Sequence, residues 1–210
     1  ARGGWPRGLP PRFVSGALRE ARVPRYLLGV SAPEEYLAAA VQFDVVAGDV
    51  AANVAAMTSC LEEAVSAGAR LCVLPEMWST SFLTEYDRSA LAAAEEAEEA
   101  LRRLSGEHSL VVVGSAIEAQ GDSYFNTARV YERGALRGSY RKIHLFSPNV
   151  EHRHHAAGHE PCIVDTELGR LGVLICYDLR FPELARFYFH SGVEVLVVPG
   201  PVSYTHLRAH

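Results

Sequence analysis

Cysteine is sparse in this 210-residue chain: four residues, at positions 60, 72, 162 and 176, with no CxxC pair among them. That spacing excludes a dense disulfide framework and a dithiol redox motif. No apolar signal segment or membrane-length run is visible, so the reading is of reduced thiols in a cytoplasmic protein with no membrane partner. A net positive charge is also missing. The formal charge of −5 and pI near 6.0 leave no broad basic face to neutralise a phosphate backbone. This argues against a nucleic-acid binder and for small-molecule chemistry. What is present, 49% hydrophobic and 21% charged residues, is enough to bury one core and form one main domain.

Residues 1–36 differ from the rest. Arginines at 2, 7, 12, 19, 22 and 25 alternate with glycine and proline, a composition that breaks regular structure. Serine is scarce there, so the segment reads as a basic extension outside the domain rather than a targeting signal. Tyr36–Phe43 then reads as a first strand, and Gly48-Asp49 as a turn and helix N-cap. Val54, Met57, Leu61 and Val65 form the apolar stripe of a helix ending near Gly68. Arg70–Glu76 is an apolar strand running into a carboxylate. A second helix is predicted over about 89–104, with Leu91, Ala94, Leu101 and Leu104 inward and Glu95, Glu96, Glu98 and Glu99 outward. Ser109–Ile117, Tyr124–Tyr131 and Leu136–Leu145 form a run of strands, with turns at Gly121-Asp122 and Arg133-Gly134. Two more strands, at 161–166 and 170–175, precede a helix from Pro182 to about Gly192 and a final strand at 193–198. The alternation implies an α/β layered core with helices protecting the sheets.

Three reactive groups stand at strand ends or beside loops. The run Leu171–Ile175 stops abruptly at Cys176, which places its sulfur before a helix, a setting that favours thiolate. Glu76 follows Leu74-Pro75, and Lys142 sits in Tyr140-Arg-Lys-Ile-His144. Each has an innocent reading: a helix cap, an edge-strand cation, a core thiol. Together they supply what amide hydrolysis needs: a nucleophile, a proton carrier and a cation for a developing oxyanion. The histidines at 152, 154, 155 and 159 invite a zinc reading. They lack a helical i, i+4 pair backed by a carboxylate, and no cysteine stands nearby at ligand spacing. No metal or cofactor is therefore predicted.

Leu74-Pro-Glu-Met77, Tyr140-Arg-Lys-Ile-His-Leu145 and Gly172-Val-Leu-Ile-Cys-Tyr-Asp-Leu-Arg-Phe-Pro-Glu183 resemble the three signatures of the nitrilase superfamily of carbon–nitrogen hydrolases. Val41-Gln-Phe43 and Phe125-Asn-Thr-Ala128 are similar to that family too, and the resemblance covers about residues 37–200. It implies an αββα sandwich, members of which pair into homo-oligomers, and a Glu-Lys-Cys triad at Glu76, Lys142 and Cys176. It also implies an oxyanion site shared by Lys142 and the Tyr177 backbone N–H, and a second, helper glutamate, for which Glu151 is the candidate. Asp178, Arg180 and Glu183 are predicted to pair and hold the turn after Cys176, with contact to a substrate carboxylate as the other reading of Arg180. Tyr-Asp after the cysteine resembles the amidase-like branches, so a small carboxamide, with ω-amides of dicarboxylic acids foremost, is the expected substrate.

The family domain continues beyond the strand ending at Val198, whereas residues 201–210 do not resemble the expected continuation. The chain therefore reads as a partial domain over 37–200 with an atypical tail. A catalytically inactive fragment or interaction module of the same fold is the main alternative. A thiol redox protein using Cys162 and Cys176, and a metal-dependent hydrolase using the histidine cluster, are the others.

Overall fold

The computed structural model describes residues 36–149 and 151–200. The predicted basic extension, except Tyr36, and the atypical tail lie outside the described residues. Five strands form the first sheet in the order β1-β2-β3-β4-β5: Leu37–Ala40, Ala69–Val73, Val111–Gln120, Ser123–Glu132 and Ala135–Arg141. β1, β2 and β3 run parallel, whereas β3, β4 and β5 form an antiparallel meander. Parallel neighbours need crossovers, and two helices supply them: α1 (Val50–Ser66) and α2 (Arg88–Glu107). Both begin on an aspartate whose side chain accepts a helix N–H, Asp49 from Ala52 and Asp87 from Ala90.

The two faces of this sheet bury different partners. On one, Cys72, Leu74 and Val112 pack against Met57, Leu61, Leu101 and Leu104 of the helices. On the other, Leu71, Val111, Val113 and Val130 meet a second sheet of β6 (Cys162–Thr166), β7 (Gly169–Val173) and β8 (Val195–Val197). Gly138 of β5 marks how closely the sheets approach, since a Cβ there would come 2.6 Å from Val164 Cγ2. α3 (Pro182–His190) packs on the second sheet through Leu184 and Tyr188. Gly172 leaves room for the Tyr188 ring, which a Cβ would approach to 2.9 Å. The layers are thus αββα, as the motifs implied.

The sequence reading needs three corrections. β1 is four residues long and β5 stops at Arg141, so Lys142 stands just past the strand rather than on it. Glu98 does not join its neighbours on the solvated face of α2. Four residues after Ala94 and three before Leu101, it falls on the inward stripe, where Trp78 Nε1 (2.9 Å) and the Tyr131 hydroxyl (3.0 Å) donate to it. Residues 146–160, whose polar composition reads as a loop in the sequence, instead fold in part into 3₁₀ turns at Ser147–Asn149 and Glu151–Arg153.

Candidate active site

The chain segments leaving β2, β5 and β7 meet at one place. After β2, the buried Leu74-Pro75 leads to Glu76, and Met77 then takes a left-handed φ of 51°. The turn is fixed from β3: Ser115 accepts the Met77 N–H on its hydroxyl and the Trp78 N–H on its carbonyl, both at 3.0 Å. Beyond β5, the Lys142 backbone is held on both sides, donating to Asn126 O (2.9 Å) and accepting from Gly158 N–H (2.8 Å). Gly158 must lack a Cβ, which would collide with the Arg141 carbonyl.

Lys142 is the only lysine in the sequence, set against 19 arginines, and its side chain is 1% exposed. Its ammonium lies 2.7 Å from Glu76 Oε1 and 2.8 and 3.1 Å from the two oxygens of Glu151. The Phe146 N–H donates to Glu151 Oε2 (2.7 Å), and Asn126 Nδ2 donates to Glu76 Oε1 (2.8 Å) and Glu151 Oε1 (3.3 Å). The predicted helper glutamate therefore sits in the cluster. Burying a lysine disfavours its charge, but Glu76 and Glu151 outweigh that and raise its pKa, so the ammonium persists. Burial pushes Glu76 above the ordinary carboxylate range, with Lys142 opposing.

Cys176, half-buried, adopts a left-handed φ of 44°, a costly conformation for a residue with a side chain. Its N–H is anchored on Pro199 O at 2.8 Å. The expectation of a favoured thiolate is reversed. Burial, then the negative charge of Glu76, pushes the thiol up to about 12, with Lys142 only partly opposing. A short 3₁₀ turn, Cys176–Arg180, separates the sulfur from α3, and two carboxylates against one ammonium leave its surroundings negative. Attack by sulfur thus requires a base, and Glu76 is the carboxylate whose charge acts most on the thiol.

Asp178 holds this turn, but not by pairing with Arg180. Fully buried, it accepts Ile175 N–H (3.0 Å), the Tyr140 hydroxyl (2.8 Å) and His144 N–H (2.9 Å), with His144 Nδ1 at 2.8 Å. Tyr140 and His144 flank Lys142 by two residues on either side, so Asp178 ties the cysteine turn to the lysine segment. Arg180 is exposed and makes no ion pair among the described residues, because the turn carries it to the surface. His144 stacks on Phe181 (3.6 Å between centroids), and Tyr177 packs edge-on against Phe146 and Phe181. The Tyr177 N–H takes no backbone partner among the described residues outside its own turn. The histidines disperse: His155 is buried against Phe82 and Tyr86, while His152 and His159 are exposed. No group of three metal-ligating side chains comes together among the described residues. Cys60, Cys72 and Cys162 are buried and free, and burial raises each thiol's pKa.

Sequence reasoning missed Asn126 as a member of the site, and Tyr140 and His144 as the partners through which Asp178 holds the turn. It also passed over the solitary lysine, a compositional signal that points straight at the cluster.

Fold and site together define a class: an αββα sandwich in which a carboxylate pair, an ammonium and a thiol gather beyond the strand ends. Residues 37–209 match the carbon–nitrogen hydrolase family, and the chain belongs to it. It is 35% identical over 177 residues to the chloroplastic omega-amidase of Arabidopsis thaliana, covering 76% of this chain and 47% of that protein. To omega-amidase NIT2 of Homo sapiens it is 33% identical over 168 residues, covering 75% of this chain and 61% of the relative. The chain thus spans about half to three-fifths of the length of these relatives. Among solved structures, a carbon–nitrogen hydrolase from Helicobacter pylori G27 superposes with a TM-score of 0.71 at 26% identity, over 80% of this chain and 60% of that one. An amidase from Nesterenkonia sp. shares the fold at a TM-score of 0.71 and 23% identity, over 78% of this chain and 64% of that one.

Proposed function

We propose that the chain carries the catalytic centre of an amidase that hydrolyses a small carboxamide to carboxylic acid and ammonia through a thioester on Cys176. The observation that carries this reading is the buried Glu76–Lys142–Glu151 cluster beside a half-buried thiol whose pKa burial pushes up to about 12. Glu76 takes the Sγ proton as sulfur attacks the carbonyl carbon. The oxyanion is held by the Lys142 ammonium and the Tyr177 N–H, donors of a kind worth about 3–4 kcal/mol each. As the C–N bond breaks, Glu76 returns that proton to the departing nitrogen and ammonia leaves. Glu76 then deprotonates water, which attacks the thioester. The acid departs and the sulfur recovers its proton from Glu76. Glu151 keeps the ammonium charged and oriented throughout. Burial raises the proton affinity of Glu76, the property a general base needs, and it raises that of the thiol as well, which is why the sulfur depends on that base.

The relatives named omega-amidases support ω-amides of dicarboxylic acids as the substrate class. Incubation with a panel of such amides, followed by ammonia assay and intact-mass measurement, should reveal turnover and an acyl adduct on Cys176. Cys176→Ala should lose both while unfolding as the parent does. Ammonia release retained by that variant, or a parent that forms no adduct and releases none, ends this reading in favour of a non-catalytic module of the same fold.

A further inference from the structure

Asn126 lies on β4 with its side chain fully buried. Among the described residues it is the one uncharged side chain that hydrogen-bonds both carboxylates of the cluster. Its Nδ2 spans 2.8 Å to Glu76 Oε1 and 3.3 Å to Glu151 Oε1, and its backbone oxygen accepts the Lys142 N–H at 2.9 Å. The amide orientation is dictated by chemistry, since the reverse would set Oδ1 against two carboxylate oxygens. The consequence is visible on the other side of the group: Oδ1 is buried with no partner among the described residues.

Glu76 Oε1 receives both Lys142 and Asn126, so two donors are spent on one oxygen. The second oxygen receives neither. We propose that Asn126 is a positioning residue that bridges Glu76 and Glu151, fixes their separation around Lys142, and leaves Glu76 one free oxygen for the Cys176 proton. This rests on the amidase reading for the purpose of the proton transfer, but not for its existence, which thiol chemistry reports directly. The groups that face Glu76 are Lys142 after β5, Glu151 in the 3₁₀ turn and Cys176 after β7, with His155 acting on Glu151 and Lys142 from behind.

The test compares the parent chain with Asn126→Ala, Asn126→Ser and the equal-volume Asn126→Asp. Alkylation of Cys176 by iodoacetamide is followed by peptide mass spectrometry between pH 5 and 9, beside ammonia release from an ω-amide. A donor to an anion favours the anion, so its removal raises the proton affinity of Glu76. The acid limb of the alkylation profile should move to higher pH by about one unit in Asn126→Ala. It should move less in Asn126→Ser, which keeps a donor hydroxyl, and at least as far in Asn126→Asp, which adds a third carboxylate. Turnover should fall through kcat, about tenfold or more, with KM little changed. Uniform slowing in whichever variants unfold like the parent, with the limb unmoved, overturns the proposal and leaves Asn126 a packing residue. Should the limb move in a parent that releases no ammonia, the positioning role stands and the amidase reading fails.

Discussion

Replacing Lys142 with Met keeps the length and most of the volume of the side chain but removes the cation from between two carboxylates. The ammonium is 2.7 Å from Glu76 and 2.8 Å from Glu151, and all three side chains are nearly inaccessible. Breaking a buried ion pair by removing one partner costs about 3–5 kcal/mol, and here two charges are stranded. A loss of about 4 kcal/mol at pH 8 is expected, a large share of the roughly 5–15 kcal/mol that holds a domain folded. The loss should depend on pH with a definite sign. Burial already raises Glu76 above its ordinary value of 4.5, and Lys142 is the main influence opposing that rise. Without it the folded carboxyl binds its proton still more tightly than the unfolded one. Such a group contributes stability that is present below the unfolded pKa and lost as pH rises through the folded pKa, at up to about 1.4 kcal/mol per pH unit for one proton. The deficit against the parent should therefore shrink between pH 8 and pH 5.5. Adding Glu76→Gln and Glu151→Gln to Lys142→Met removes the stranded charge, so the triple variant should be more stable than the single at pH 8 and lose the pH dependence. Urea unfolding followed by tryptophan fluorescence, to which the buried Trp78 contributes, measures all of this. Parent-like stability of Lys142→Met at pH 8, or a triple variant as weak as the single, would refute the premise of a charge cluster held by its ammonium.

Because Lys142 is the only lysine and is buried, an amine-selective reagent should leave it unmodified in the native chain and label it on unfolding. Peptide mapping that finds native labelling contradicts that burial. Asp178→Ala strands the Tyr140 hydroxyl and the Ile175 and His144 N–H groups, at about 1–3 kcal/mol for each buried donor, so about 3–6 kcal/mol is the expected loss after water reaches some of them. A denaturation midpoint unchanged in that variant would show that Asp178 does not clamp the cysteine turn. Gly138→Ala should cost about 1–3 kcal/mol by wedging β5 away from Val164, and thermal melting would show no shift if the sheets were farther apart than they are here.

Much of the architecture is legible in the residues because it depends on local rules. The buried runs of β2 and β7 are contiguous and apolar, α1 carries its three- and four-residue stripe behind the Asp49 cap, and Pro182 opens α3. The family resemblance of the ordered motifs named Glu76, Lys142 and Cys176, with Glu151 as the candidate helper. Other features depend on which side chains packing brings together, and no spacing encodes them. Glu98 lay in an acidic run that read as solvated, yet it is turned inward by Trp78 and Tyr131. Arg180 looked like the natural partner of Asp178, but Tyr140 and His144 occupy that place from 34 to 38 residues away in the chain. The helix ahead of Cys176 promised a thiolate, whereas burial and the nearby carboxylates keep the proton on sulfur.

The sequence by itself determined the elements and their order, because helix stripes, strand runs and turn residues act over a few neighbours, and its resemblance to a family named the candidate reactive groups. Only the tertiary structure decided the protonation of those groups and their supporting partners. Charge and desolvation act through space, and the contact between Glu76 and Lys142 joins residues 66 apart in the chain.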